Sequence, residues 1–475
     1  MSVLKRFFKD TIIYGLAIVL PRLINFLLVT IYTDAFSNEI YSDSTTFYIW
    51  AAFFNVLLTY GMETSFFRFF SKHKDSNKVY STSLITITSS TIIIGILVFS
   101  FNQELANLMT LPIRSFNLLI SITLIEALII IPFAYLRVTG RPVRFAIIKF
   151  INVLIIVVLN ILFLHKKYGS EIIQNLFDVN EIVEYQFIAN LIASISVLLL
   201  VSPYFLKTKL SFDKTVFKQL LLYGWPIMVA GIAFVINENF DKYLIPLLIN
   251  KNTNGAYSAC YKLAVFMTLF IQAFRMGAEP FFFNHADKAN AKNTYALILK
   301  YFTIVGSIGL LAITVYLDII KNVLIKNESY LFALDIVPIV LLANLCLGIY
   351  HNLSIWYKLT DKTKYGMYIS VLGAILTIGF NYLMIPHFGY IACAYGTLVA
   401  YGSMMLVSYY LGRKHYPVPY ETKRISLYLI TSSVLASLSF YQFDNNLYVG
   451  TLFLVVFLAL IFFLEKKELN QLLKR

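Results

Sequence analysis

Gly61-Met62-Glu63-Thr64-Ser65-Phe66-Phe67 returns further along the chain as Gly277-Ala278-Glu279-Pro280-Phe281-Phe282-Phe283, and Tyr41-Ser42 ahead of the first copy returns as Tyr257-Ser258 ahead of the second. Six positions match at a single offset of 216 residues without a gap. A second block pairs Arg137-Val138-Thr139-Gly140-Arg141 with Lys358-Leu359-Thr360-Asp361-Lys362 at an offset of 221, which also lays Asn160 on Asn381 and Leu162 on Leu383. A weaker match sets Tyr14-Gly15 against Tyr223-Gly224. Blocks that recur in order at nearly one offset mark a duplication.

Outward from these blocks the chain is a series of apolar runs. Of its 475 residues 59% are hydrophobic and 13% are charged, against about 25% charged in soluble domains. So few charges cannot cover a soluble globule of this size, and the composition excludes a soluble enzyme, a disordered chain and a single-span receptor. About 20 apolar residues cross a bilayer as a helix, and fourteen runs reach that length. They cover 11–33, 44–67, 80–101, 115–136, 145–164, 185–206, 219–248, 256–283, 295–320, 331–356, 366–385, 390–411, 425–441 and 446–464. Kinks are expected in the long seventh and eighth runs, with Pro226 as the clearest cause.

Charge sets the orientation. With both termini in the cytoplasm, 29 of the 39 Lys and Arg fall in cytoplasmic segments, among them Lys149 and Lys300, and six fall outside. That is the positive-inside pattern, and it accounts for the net charge of +14 through anionic lipid headgroups rather than nucleic acid. The expected fold is an all-α polytopic membrane protein with 14 transmembrane helices: two pseudo-symmetric six-helix lobes, residues 1–210 and 211–415, plus two C-terminal helices and a cytoplasmic tail in 416–475. Six spans per copy give the copies parallel orientation about an axis along the membrane normal, a design that places a cavity between lobes that rock. Residues 1–10 are a short basic lead with no cleavage site after them, so no cleavable signal is expected. Every loop is short, the longest covering residues 165–184, which leaves no room for a large external catalytic domain.

Ionisable residues inside spans cost roughly 2.5–3.5 kcal/mol each on insertion scales and are functional candidates. Here they are Arg22, Glu63, Glu126, Glu238, Asp241, Lys242, Lys262, Arg275 and Glu279. Arg22, just after Pro21, could hold a pyrophosphate by paired charge-assisted hydrogen bonds or serve an ion pair within its lobe. Glu238 and Lys242 share a helix face and are expected to neutralise each other, which leaves Asp241 as the unpaired acid. Arg275 and Glu279 repeat that i,i+4 arrangement. Glu63 holds the equivalent place on the second span, where Thr59 stands in for the arginine. The two matching glutamates are candidates for a gate or for helix ends. Glu126 stands alone near mid-span, suited to ion coupling or to a neutral hydrogen-bonded role. Lys262 faces either a cavity or the interface. Cys260, Cys346 and Cys393 lie in apolar runs without a CxxC and read as core residues. No GxxxxGK[ST] loop supports ATP hydrolysis, no His/Cys/Asp cluster has metal spacing, and no cofactor is expected. The 33 Tyr and 41 Phe read mainly as interface belt and helix packing.

Tyr223-Gly224-Trp225-Pro226, then Asp241-Lys242-Tyr243, Gly255-Ala256-Tyr257-Ser258-Ala259 and Asn381-Tyr382-Leu383-Met384-Ile385-Pro386-His387-Phe388-Gly389-Tyr390 occur in that order. This series resembles the multidrug/oligosaccharidyl-lipid/polysaccharide flippase superfamily, and within it the Wzx-type polysaccharide flippases. The resemblance implies a flippase, not an enzyme, that moves a polyprenyl-pyrophosphate-linked oligosaccharide across the bacterial cytoplasmic membrane by alternating access. It implies H+ or Na+ coupling or use of the membrane potential, membrane lipids and polysaccharide-assembly proteins as partners, and a substrate-binding role for Arg22, since a basic residue is common in the family's first helix. Fourteen helices match polysaccharide flippases better than the twelve-helix drug exporters. Two departures stand out: the seventh-helix pair is Asp-Lys rather than Asp-Arg, and a dense set of cavity arginines is missing, which argues against lipid II as cargo. The rivals are a cation-coupled multidrug exporter of the same superfamily and a membrane-embedded glycosyltransferase or polymerase.

Overall fold

In hydrocarbon a backbone amide has no water to pair with, so a spanning segment must satisfy its own hydrogen bonds. The computed structural model describes residue 24 and residues 26–72, 75–165, 179, 181–205, 207, 210–286, 288–360 and 362–473, and among them it contains helices and no strand. Contacts divide the chain into two compact units, residues 1–258 and 259–475.

The first unit contains α1 (Phe26–Ala35), α2 (Asn38–Thr59), α3 (Met62–Lys72), α4 (Ser76–Ser100), α5 (Asn102–Leu108), α6 (Ile113–Val138), α7 (Pro142–Leu164), α8 (Val183–Val201), α9 (Lys214–Leu248) and the start of α10 (Lys251–Leu263). Ser37 caps α2 by accepting from the Ile40 amide. The helix ends at Tyr60, which adopts a left-handed φ of 34°, followed by Gly61 at 73°. The break lies where a continuous second span was expected. A Cβ on Gly61 would meet the Gly224 carbonyl, and a Cβ on Gly224 would lie 2.7 Å from the Tyr60 carbonyl. These two glycines therefore let the α2–α3 corner rest directly on α9. Pro226 lies inside α9, which runs as one helix of 35 residues. The start of α10 is tied to α2: Asn254 Nδ2 donates to Ser42 Oγ at 2.7 Å, and Asn38 Nδ2 donates to Asn252 Oδ1 at 2.6 Å. Gly255 is the residue that fits against the Asn38 carbonyl. Phe66, fully buried, packs edge-on against Tyr80, and the Tyr80 hydroxyl donates to the Tyr204 carbonyl at 2.6 Å.

The second unit continues α10 into α11 (Val265–His285) across Ala264, where the pair bends by 44°, so the kink expected in the eighth run is present. There follow α12 (Ala291–Val315), α13 (Leu317–Leu324), a 3-10 stretch (Glu328–Ile336) leading into α14 (Val337–Leu353), α15 (Ile355–Leu359), α16 (Lys364–Phe388), α17 (Ile391–His415), α18 (Thr422–Ser437) and α19 (Leu447–Leu473). Phe282, the counterpart of Phe66, is buried against Tyr295, whose hydroxyl donates to the Phe282 carbonyl at 2.8 Å. Asn160 and Asn381, matched by the repeat, are both fully buried. Lys300, which the charge reading counts in a cytoplasmic segment, is fully buried in α12. Its ammonium sits 3.0 Å from Glu465 Oε2 and 3.2 Å from Glu421 Oε1. Arg424 and the Tyr428 hydroxyl complete the network on Glu465 at 3.1 and 2.6 Å. The last two helices are thus bonded to α12 by charge as well as by packing.

Eleven described helices are long and apolar enough to span, and the bent α10–α11 pair raises the number to twelve. These twelve coincide with the third to fourteenth expected runs. The second run corresponds to α2 and α3, whose start carries Asn38, Glu39, Asp43 and Ser44. The first run lies largely outside the described residues.

Candidate functional site

Glu126, Ile129, Ile130, Phe133 and Arg137 recur every three or four residues and so share one face of α6. Phe145, Lys149 and Asn152 do the same on α7. With Glu63 of α3 and Ser194 of α8, these side chains line a cavity of about 370 Å³ in the first unit. Two acids and two bases thus meet inside an otherwise apolar helix bundle.

Their pairing is uneven. Arg137 Nη1 holds Glu63 Oε1 at 3.0 Å, and its guanidinium lies 4.8 Å from the Phe67 ring centroid. Glu63, expected to lack a partner because Thr59 replaces arginine, finds one 74 residues away in sequence. Glu126 accepts from Asn55 Nδ2 at 2.7 Å, so the isolated acid of the sequence reading is hydrogen-bonded. The Lys149 ammonium sits 4.6 Å from the Phe133 ring centroid. No carboxylate lies within ion-pair distance of it among the described residues. It feels Glu126, Glu63 and Arg137 across the cavity. Lys149 was missed because the positive-inside count placed it with Arg137, Arg141 and Arg144 in a cytoplasmic loop. The available signal was its i,i+4 spacing to Phe145.

The second charged group lies on α9 and corrects the expectation that Asp241 is unpaired. Lys242 Nζ contacts Asp241 Oδ1 at 3.1 Å and donates to the Glu238 backbone carbonyl at 2.7 Å. The Tyr257 hydroxyl donates to Asp241 Oδ2 at 2.6 Å. Asp241 is 2% exposed. It is a fully paired buried acid, not the unpaired one. Glu238 is half-buried. Burial forces this arrangement, because a carboxylate and an ammonium withdrawn from water need each other.

In the second unit Arg275 Nη1 lies 3.4 Å from His351 Nε2, and Lys262 is exposed. The Glu279 side chain and Arg22 fall outside the described residues. Asn344 and Asn381 each bury an amide whose oxygen and nitrogen both lack a protein partner. Among the described residues no group of His, Cys, Asp and Glu could hold a metal ion.

Comparison with known proteins adds a family to this geometry. Residues 7–285 match the model of a polysaccharide biosynthesis protein family, and residues 226–383 match the MatE model. A comparison with curated protein sequences returns no match. Among solved structures, the lipid II flippase MurJ in an inward closed conformation aligns with a TM-score of 0.70 at 17% identity, covering 95% of this chain and 99% of that one. An inward-facing multidrug resistance MATE family transporter of the MOP superfamily aligns with a TM-score of 0.66 at 14% identity, covering 87% of this chain and 96% of that one. The fold is that of these transporters.

Proposed function

Because the chain belongs to the polysaccharide biosynthesis protein family, we propose that it flips a polyprenyl-pyrophosphate-linked oligosaccharide from the inner to the outer leaflet of a bacterial cytoplasmic membrane. Both termini face the cytoplasm in this reading, and polysaccharide-assembly proteins supply and use the cargo. The polar head crosses in a hydrated, charged interior by alternating access while the prenyl tail stays in lipid, with no covalent step. The observation that carries this reading is the pair of basic residues in the cavity, Arg137 and Lys149. A lysine kept inside a span costs roughly 2.5–3.5 kcal/mol, and a cation exporter gains nothing from it, whereas an anionic headgroup does. Glu126 is the acid that couples transport to a proton, since Asp241 and Glu63 are held by Lys242 and Arg137. Energy from the membrane potential is worth ~2.3 kcal/mol per charge per 100 mV.

The match of residues 226–383 to the MatE model favours a second reading, a cation-coupled multidrug exporter. Deleting the gene separates the two. Accumulation of lipid-linked oligosaccharide on the inner leaflet with loss of surface glycan is the expected result. Normal surface glycan together with retention of cationic dyes would favour the exporter.

A further inference from the structure

We propose that the cavity of the first unit is a proton-gated oxyanion site, in which Lys149 binds an anionic oxygen group once Glu126 has taken up a proton. Naming the occupant as the phosphate or carboxylate of a glycolipid head rests on the flippase reading; the site itself does not. Glu63 is spent on Arg137 at 3.0 Å. That leaves Glu126 and Lys149 as the two charges still open to exchange. Glu126 is held by Asn55 at 2.7 Å and shares its surroundings with the Tyr48 hydroxyl of α2. Lys149 rests on the Phe133 ring and faces Glu126 and Arg137 of α6 and Glu63 of α3 from a distance.

An ammonium that rests on a ring face and has no carboxylate of the described residues within ion-pair distance is under-compensated electrostatically in a low-dielectric wall. While Glu126 is ionised the cavity's charges balance, two against two, and an entering anion would bring a net negative charge. A proton on Glu126 leaves one positive charge in excess. A monoanionic oxygen group on Lys149 then restores neutrality, and a dianion such as sulfate leaves one net negative charge instead of two; Asn152, three residues further along the same face of α7, offers a neutral donor to its other oxygens. The geometry leaves room for it, because Glu126 and Lys149 both line a cavity of about 370 Å³ and do not close into an ion pair. Proton and anion therefore favour each other's binding, and by linkage the effect is reciprocal.

The probe is inorganic sulfate, whose charge does not change over the range tested. Binding to the full chain in lipid nanodiscs is measured by calorimetry between about pH 5 and about pH 8, where uptake of one proton per anion tightens affinity by up to about tenfold for each unit of acidification. Glu126→Gln, neutral at every pH, should bind sulfate tightly and without pH dependence. Lys149→Met should lose binding, and Lys149→Arg should keep it, which guards against mere misfolding. Displacement by pyrophosphate in preference to glucuronate assigns the diphosphate as occupant; the reverse assigns an acidic sugar. Wild-type affinity independent of pH, a Glu126→Gln variant that still responds to pH, or displacement by neither compound overturns the proposal. None of these outcomes bears on whether deletion strands lipid-linked oligosaccharide, so the two readings fail separately.

Discussion

Asp241 and Glu126 are both acids within predicted spans, and their surroundings give them opposite roles. Asp241 receives Lys242 and the Tyr257 hydroxyl and is almost wholly enclosed. Asp241→Asn strands the Lys242 charge, and removing one partner of a buried pair costs about 3–5 kcal/mol. We expect that variant to melt far below wild type in a detergent thermal-shift assay, with export lost through instability. Glu126→Gln keeps the Asn55 contact and should melt normally. Helix spacing left Asp241 as the unpaired acid, because one of the groups that fix it, the Tyr257 hydroxyl, arrives from the next helix. Glu63 and Arg137 met for the same reason, across 74 residues. Spacing along one helix predicts neighbours on that helix, whereas charges in a membrane choose partners across helices.

Among the elements, the informative contact is that of the α2–α3 corner with α9. Gly61 has a positive φ of 73° and no room for a Cβ beside the Gly224 carbonyl. Gly61→Ala should destabilise the protein by about 1–3 kcal/mol, the usual cost of a strained backbone position, and Gly224→Ala should lower Tm through the Tyr60 carbonyl. Leu222→Ala, at an exposed position on the same helix, is the control that should leave Tm unchanged. The sequence marked both glycines as motif residues without showing that they touch. It also placed a kink at Pro226, inside the continuous helix α9, and the chain breaks at Tyr60-Gly61 and at Ala264. Proline removes one hydrogen bond, which a long packed helix tolerates; a left-handed residue redirects the chain outright.

At the level of the molecule, the duplication reaches side chains that the sequence match did not include. Phe66 meets Tyr80 in the first unit and Phe282 meets Tyr295 in the second, each tyrosine donating to a carbonyl. Asn38-x-x-Tyr41-Ser42 likewise returns as Asn254-x-x-Tyr257-Ser258. We propose that residues 1–210 and 211–415 are the units of this symmetry. If so, the Glu63–Arg137 pair has a counterpart in Glu279 and Lys358, which occupy the matching positions. Glu279→Lys and Lys358→Glu should each reduce surface glycan, and the double exchange should restore it. Loss in the double variant equal to the sum of the singles would count against a pair. Helix class and the places of twelve spans were legible because hydrocarbon imposes them residue by residue. The cavity was not, since its charges come from three separate helices and one of them, Lys149, falls among the loop residues in the positive-inside count.

Lys300 has a consequence for how the chain is made. Its partner Glu465 follows 165 residues later, and ribosomes add roughly 5–20 residues per second. For on the order of ten to thirty seconds, a lysine destined for full burial lacks Glu465 and the helix that carries it, and Glu421, its other acid, arrives only 44 residues before Glu465. Assembly of the second unit therefore cannot finish before the last helix is synthesised, and a ribosome that stops short of Glu421 releases a chain marked for quality control by a single uncompensated ammonium.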